Sequence, residues 1–397
     1  MARSSSAETG ADDHLDDLRR RIGDLTGVPA DHVTLFWKGR VALYAILRAL
    51  RIGPGDEVIV PAFTCVAVPN AILYAGATPV YVDIDERTYT PDPMVVEAAV
   101  GPRTRAILAQ NTFGLSSDLK ALSVVAADAG AVVIDDCAHG LGGAYEGQPS
   151  GAAADAAFYS TQWTKPLSTG LGGIAVTRHE DLAGQLRAIE SAAREPARHE
   201  TTMLRALLLA RDRVARSRTL SAGRAFYRAS GRLGIVPGSS SREELSGRSM
   251  PNGFLTRMSG MQAGLAARRI EALPDIVVRR RAVAARYSAL LRAHGRTAAH
   301  EPSYAVHSFL RYPIRVEEPH LFADLASRRG IDIGDWFRSP VHPATGDLSA
   351  WGYRWGTNPV AERVASEIAN LPTDLDPESK QIEAVDDFVT SSMKRIR

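Results

Sequence analysis

Short apolar runs alternate with amphipathic stretches through the first half of the chain. Val33 to Phe36, Glu57 to Val60, Thr78 to Ile84, Ala106 to Ala109 and Val132 to Ile134 are brief, rich in β-branched residues and bounded by turn residues. That is the pattern of strands buried on both faces. Between them Val41 to Leu50, Pro69 to Ala75, Met94 to Val100 and Leu119 to Ala129 repeat apolar residues at helical spacing, and Asp16 to Leu25 precedes the first strand as a helix. Ala156 to Tyr159 and Gly173 to Thr177 complete a set of seven strands. The alternation predicts an α/β fold with a mainly parallel, seven-stranded sheet and helices on both faces.

The character changes after Asp181. Met203 to Leu233 carries eight arginines (205, 211, 213, 216, 218, 224, 228 and 232) against one acid, Asp212, in a helical pattern that Pro237 to Ser241 breaks. Two readings of this basic insert, about residues 200–245, stay open: a solvated helical face, or a docking surface for an anionic partner such as a polyanionic substrate, carrier or membrane. Helices are predicted at Met258 to Leu273, Ile276 to Leu291, Leu321 to Arg329, Ala361 to Leu371 and Gln381 to Met393, with a strand at Leu310 to Val316. The expected organisation is a flexible polar tail over 1–14, a large domain over 15–250 that includes the insert, and a smaller α+β domain over 251–397.

Composition narrows the class. With 397 residues, 45% of them hydrophobic, the chain can bury a full α/β core and a second, smaller one. A formal charge of +2 does not point to nucleic acid. No apolar run approaches the roughly 18 residues that span a bilayer. Two cysteines, Cys65 and Cys137, without a CxxC pair, speak against disulfides and zinc and fit a cytoplasmic protein. GxGxxG, Walker A, GxSxG and HExxH patterns are missing, which weakens nucleotide, serine-hydrolase and metalloprotease readings.

The chemistry gathers at strand ends. Val132-Val133-Ile134 runs into Asp135-Asp136-Cys137-Ala138-His139-Gly140, and ligands of open α/β sheets collect beyond the carboxyl ends of such strands. About 25 residues on come Ser160-Thr161-Gln162-Trp163-Thr164-Lys165 and Gly170-Leu171-Gly172-Gly173. An acid at a strand end with a downstream lysine suits pyridoxal phosphate, whose ring nitrogen needs a carboxylate and whose aldehyde needs an amine. Asp135 and Asp136 point to opposite sides of the strand, so only one can serve. Of the five lysines (38, 120, 165, 380 and 394), Lys165 is the candidate amine, with Lys38 its rival. Trp37-Lys38-Gly39-Arg40 joins a strand to a helix, where free amides and the helix dipole favour a phosphate. Gly39 and Arg40 would supply amides, and Ser160 and Thr64 hydroxyls.

These runs together resemble the DegT/DnrJ/EryC1/StrS family of aminotransferases. The similarity is carried by Ile52-Gly-Pro-Gly-Asp-Glu-Val-Ile-Val-Pro-Ala-Phe-Thr, Ala75-Gly-Ala-Thr-Pro-Val-Tyr-Val-Asp-Ile-Asp, Ile134-Asp-Asp-Cys-Ala-His-Gly-Leu-Gly, Ser160 through Lys165, Gly170-Leu-Gly-Gly, Arg257-Met-Ser and Leu371-Pro. The resemblance implies an aspartate aminotransferase-like fold (fold type I) and a homodimer with shared active sites. It also implies transfer of an amino group from an amino acid, commonly glutamate, to a keto group on a sugar nucleotide or cyclitol. It assigns the ring nitrogen to Asp136, covalent attachment to Lys165, a phosphate hydroxyl to Ser160, and places against and beside the ring to Ala138 and His139. Arg257 would reach the neighbouring subunit's substrate.

Several positions depart from the family pattern. Cys65 stands where an aromatic residue usually stacks on the ring, Arg40 where Thr or Ser follows the phosphate-turn glycine, and Leu255 where an Asn usually crosses the dimer. Gly170-Leu171-Gly172-Gly173 replaces the usual Gly-Glu-Gly-Gly. The expectation is a rebuilt phosphate cup that uses Arg40, with Trp37 or Trp163 taking over the stacking and Trp163 placed with Arg257 among the substrate-binding residues. An enzyme of the same fold performing elimination, replacement or C–C chemistry stays open as an alternative, as does a non-catalytic scaffold that works through the basic insert.

Overall fold

A computed structural model describes residues 2–216, 242–247 and 249–397. A seven-stranded sheet lies at its centre, in the spatial order Val33–Phe36, Gly173–Thr177, Ala156–Ser160, Val132–Asp136, Thr104–Gln110, Glu57–Pro61, Thr78–Val82. Gly173–Thr177 is antiparallel to both of its neighbours, and the other six strands share one direction. Successive residues of each strand enter different cores. Ile134 packs with Val58, Val60 and Leu108 under the helices Gly39–Ala49 and Ala67–Ala75. Val133 packs with Ile59 and Ile107 under Leu119–Ala129 on the other face. Each such fully buried aliphatic side chain is worth about 1.5–3 kcal/mol. The same alternation sends Asp135 and Asp136 to opposite faces.

Local signals set the helix ends. Asp92 and Asp118 accept the amides of Met94 and Ala121 and so cap Pro93–Ala99 and Leu119–Ala129. Gly130, at φ +63, ends the second of these in the left-handed conformation that glycine adopts most cheaply.

Some elements differ from the sequence expectation. The first helix runs over Ala2–Thr26, so it includes most of the stretch expected as a flexible tail. Its Leu15, Leu18 and Ile22 are buried with Ala263, Ala266 and Ala267 of the helix Gly260–Arg269, which brings residues after 251 under the large sheet. The stretch expected as one helix over Ala361 to Leu371 is a helix only over Pro359–Glu367. Ile368–Pro372 is a strand, antiparallel to Arg311–Arg315. All five residues of Ile368–Pro372 are buried and lie beside a waiting partner strand, so ladder bonds replace the next helical turn. Of the basic insert, Arg198–Arg216 is a helix whose Leu204 and Leu208 are buried. Arg218, Arg224, Arg228, Arg232 and the break at Pro237 to Ser241 lie outside the described residues. Among those described, no helix is long and apolar enough to cross a membrane.

One short pairing positions the site. Thr64–Cys65 runs parallel to Val341–His342 and ties the loop after Glu57–Pro61 to the C-terminal part of the chain.

Candidate active site

The carboxyl ends of the parallel strands open into a cavity of about 330 Å³. Its wall includes Gly39 after the first strand, Thr64 and Cys65 after the second, Gln110 and Asp136 at the ends of theirs, and Ser160 at the end of Ala156–Ser160. Ala138, His139 and Lys165 line it as well. Nine of the sequence candidates therefore meet in one place: Lys165, Asp136, Gly39, Arg40, Thr64, Cys65, Ala138, His139 and Ser160.

Asp136 is buried, and its Oδ1 accepts the Ala138 amide at 2.9 Å. Burial raises its carboxyl to about 7, while the Ala138 bond and the Lys165 charge pull it down. Asp135 faces the other way and is spent on structure: Asn111 Nδ2 donates to it at 2.7 Å and the Gly151 amide at 2.9 Å. The half-buried Lys165 meets the ring of Trp336 at 4.9 Å. Loss of water lowers its amine to about 8, against the raising influence of Asp136. An ordinary lysine near 10.4 is almost wholly protonated at neutral pH. This one has a far larger free-base fraction, on the order of a tenth at pH 7.

His139 stacks on Trp336 at 4.8 Å and lies nearly parallel to Phe337 at 5.8 Å. Burial holds it well below the usual histidine range, with the charges of Lys165 and Arg311 adding to the effect. The Phe113 amide donates to its Nδ1 at 3.3 Å, so the neutral ring carries its proton on Nε2. Thr64 Oγ1 donates to Gln110 Oε1 at 2.5 Å, and Gln110 Nε2 donates to Thr112 Oγ1 at 2.8 Å and to the Phe63 carbonyl at 2.9 Å. That chain of bonds orients the floor.

Helix Gly39–Ala49 starts at the cavity, so the positive end of its dipole faces the site. A Cβ on Gly39 would lie 3.0 Å from the Ser160 Cβ. A Cβ on Gly173 would lie 2.1 Å from the Lys38 carbonyl oxygen. Only glycine lets the turn sit this close to the neighbouring strands. Arg40 Nη1 and Lys38 Nζ both reach Glu244, at 2.7 and 3.3 Å.

Two expected roles fall elsewhere. Trp163 and Trp37 do not line the cavity; they are buried with Leu171, Leu204 and Leu208 in a separate cluster that covers the apolar face of Arg198–Arg216. Arg211 lies over the Trp163 ring at 5.7 Å. Neither tryptophan replaces the missing aromatic at Cys65, since both are committed to that packing. Arg257 pairs with Glu195 outside the cavity of its own chain. Conversely Trp336, Phe337, His342, Gln110 and Glu244 were not singled out from the sequence. No spacing ties residues 336–342 to a strand end near 136. The only hint at Glu244 is the pair Glu243-Glu244 following an arginine-rich stretch.

A family model described as the DegT/DnrJ/EryC1/StrS aminotransferase family matches residues 3–390. Among curated proteins, the chain is 41% identical over 175 residues to UDP-N-acetyl-3-dehydro-alpha-D-glucosamine 3-aminotransferase of Acidithiobacillus ferrooxidans, covering 44% of this chain and 47% of that protein. It is 38% identical over 182 residues to GDP-perosamine synthase of Caulobacter vibrioides, covering 46% and 48%. The chain thus spans about half the length of these relatives. Among solved structures, S. venezuelae DesV in complex with a ketimine intermediate superposes with a TM-score of 0.70 at 27% identity, covering 99% of this chain and 98% of that one.

Proposed function

Since the chain belongs to the DegT/DnrJ/EryC1/StrS aminotransferase family, we propose that it is a pyridoxal-phosphate-dependent aminotransferase. Its substrates on this reading are an amino-acid donor, glutamate foremost, and a keto sugar nucleotide or related cyclitol as acceptor. The observation that carries the reading is a depressed amine, Lys165, and a buried carboxyl, Asp136, facing one cavity at the mouth of a helix N-terminus. The donor set fits the family's cofactor: an acid for the ring nitrogen, an amine for the aldehyde, and Gly39, Arg40 and Ser160 for the phosphate.

Bound there, pyridoxal phosphate supplies an aldehyde that takes up amines and a ring that accepts the electron pair released at the reacting carbon. Asp136, once paired with a cation, is ionised and keeps the proton on the ring nitrogen. Lys165, with its amine near 8, takes the proton from the substrate carbon and returns it on the other side of the transfer. His139 presents Nε2–H as a donor, held in that tautomer by the Phe113 amide. Trp336 covers the amine, and Phe337 packs behind it. Ala138 leaves room for a flat ring beside Asp136. The dimer with shared sites belongs to the same proposal, with Arg257 as the group offered across the interface. The basic insert has no role in it.

The test is direct. Purified protein given pyridoxal phosphate should turn yellow, borohydride should fix the label on Lys165, and Lys165→Ala should remove both. Incubation with glutamate should then release the corresponding keto acid. A protein that takes up no cofactor refutes the reading; one that takes it up and eliminates or cleaves instead of transferring supports the alternative chemistry.

A further inference from the structure

Glu244 is the least expected group at the phosphate end of the cavity. Its side chain is 1% exposed, and its two carboxylate oxygens hold different cations, Arg40 Nη1 at 2.7 Å and Lys38 Nζ at 3.3 Å. Both cations line the cavity beside Gly39 and Ser160. The segment Arg242–Ser246 that carries Glu244 is anchored from below. Asn70 Nδ2 donates to the Glu244 carbonyl at 2.7 Å, and Trp351 Nε1 donates to Asn70 Oδ1 at 2.9 Å. Leu245, the next residue, forms part of the cavity wall.

We propose that Glu244 is an internal competitor for the phosphate of the cofactor, holding the two cations that the phosphate would otherwise recruit. This rests on reading the cavity as a pyridoxal-phosphate site. The argument is one of charge. A phosphate monoester carries roughly two negative charges at neutral pH. Two cations could match it, but a buried carboxylate already neutralises one of them and takes one hydrogen bond from each. Lys38 also bears a cost of its own: loss of water and the charge of Arg40 lower its amine, so it gains from whichever anion stands nearest. The competition matters most for the amine form of the cofactor. That form has no bond to Lys165 and is retained only by its ring and its phosphate.

The probes are pyridoxamine phosphate and pyridoxamine, which differ only in the phosphate and cannot bond to Lys165. Calorimetric titration of the full chain should show Glu244→Gln binding pyridoxamine phosphate about tenfold tighter or more, with pyridoxamine changed less than about twofold. Unchanged or weaker binding of the phosphate form, or an equal gain for both ligands, overturns the proposal. A second measurement avoids the variant. In the unaltered protein, saturating pyridoxamine phosphate should speed amide hydrogen exchange over 242–247, and pyridoxamine should not. Slowed or unchanged exchange overturns the displacement. A protein that attaches pyridoxal phosphate at Lys165 yet fails these tests keeps its proposed function and loses this inference; one that binds none of the three loses both.

Discussion

Replacing Trp336 with alanine tests what sets the reactivity of Lys165. The indole acts on the amine in two opposed ways. As a ring face 4.9 Å from Nζ it favours the charged form, a contact worth about 0.5–1 kcal/mol when partly exposed. As a cover it keeps water away, which disfavours the charged form. The two are not equal. Burial, the larger influence, takes the amine from 10.5 to about 8. At about 1.4 kcal/mol per pH unit, that shift is on the order of 3 kcal/mol. Losing the ring contact lowers the amine by less than about one unit, whereas readmitting water removes a large part of the bigger effect. Trp336→Ala should therefore raise the Lys165 pKa by about one unit or more toward its ordinary value. The assay is the rate at which pyridoxal phosphate becomes borohydride-fixable on Lys165 between pH 6 and 10, since attachment needs the free base. The midpoint should lie near 8 in the unaltered protein and move up in the variant. An unchanged or lower midpoint would refute the reasoning and make the ring contact, not water exclusion, the controlling effect.

Three further outcomes follow from the same geometry. Asp135→Ala should cost about 1–3 kcal/mol, read as a lower Tm, because the buried Gly151 amide and Asn111 Nδ2 lose their acceptor, while the absorbance of bound cofactor stays unshifted. Gly173→Ala should lower both Tm and cofactor retention, because its Cβ would sit 2.1 Å from the Lys38 carbonyl oxygen and must push the phosphate turn away; retention equal to that of the unaltered protein would show that the turn is not the phosphate site. Asp136 has a folded pKa of about 7, raised above its ordinary 3.8, so the stability associated with its protonated form is complete below 3.8 and is lost as pH rises through 7. The cofactor-free Asp136→Asn variant should accordingly gain stability relative to the unaltered protein between pH 5 and pH 7.5. A relative loss in paired thermal melts would contradict that sign.

Much of the frame is written locally. Gly173–Thr177 and Leu119–Ala129 lie where the apolar spacing predicts them, since a strand's alternation or a helix's stripe reflects the few residues around it. The same holds for the strand ends that bring Asp136, Ser160 and Gly39 to one edge. The period of two by itself put Asp135 and Asp136 on opposite faces. Which face holds the cavity was a tertiary matter, decided by helices packed from distant parts of the chain. Ile368–Pro372 shows the limit most plainly: its apolar spacing continues a helix until a strand nearly sixty residues earlier offers hydrogen bonds instead. Trp163 was expected to take over the ring stacking, but the helix Arg198–Arg216 needs an apolar floor and takes it. Trp336 reaches the cavity, and Glu244 reaches its two cations Lys38 and Arg40, from stretches with no periodic or motif signal, through the pairing of Val341–His342 with Thr64–Cys65 and the anchoring of Glu244 on Asn70. The residues gathered at the candidate site were legible because they sit at strand ends. Its water exclusion and charge balance were not, because they depend on contacts between segments that share no sequence neighbourhood.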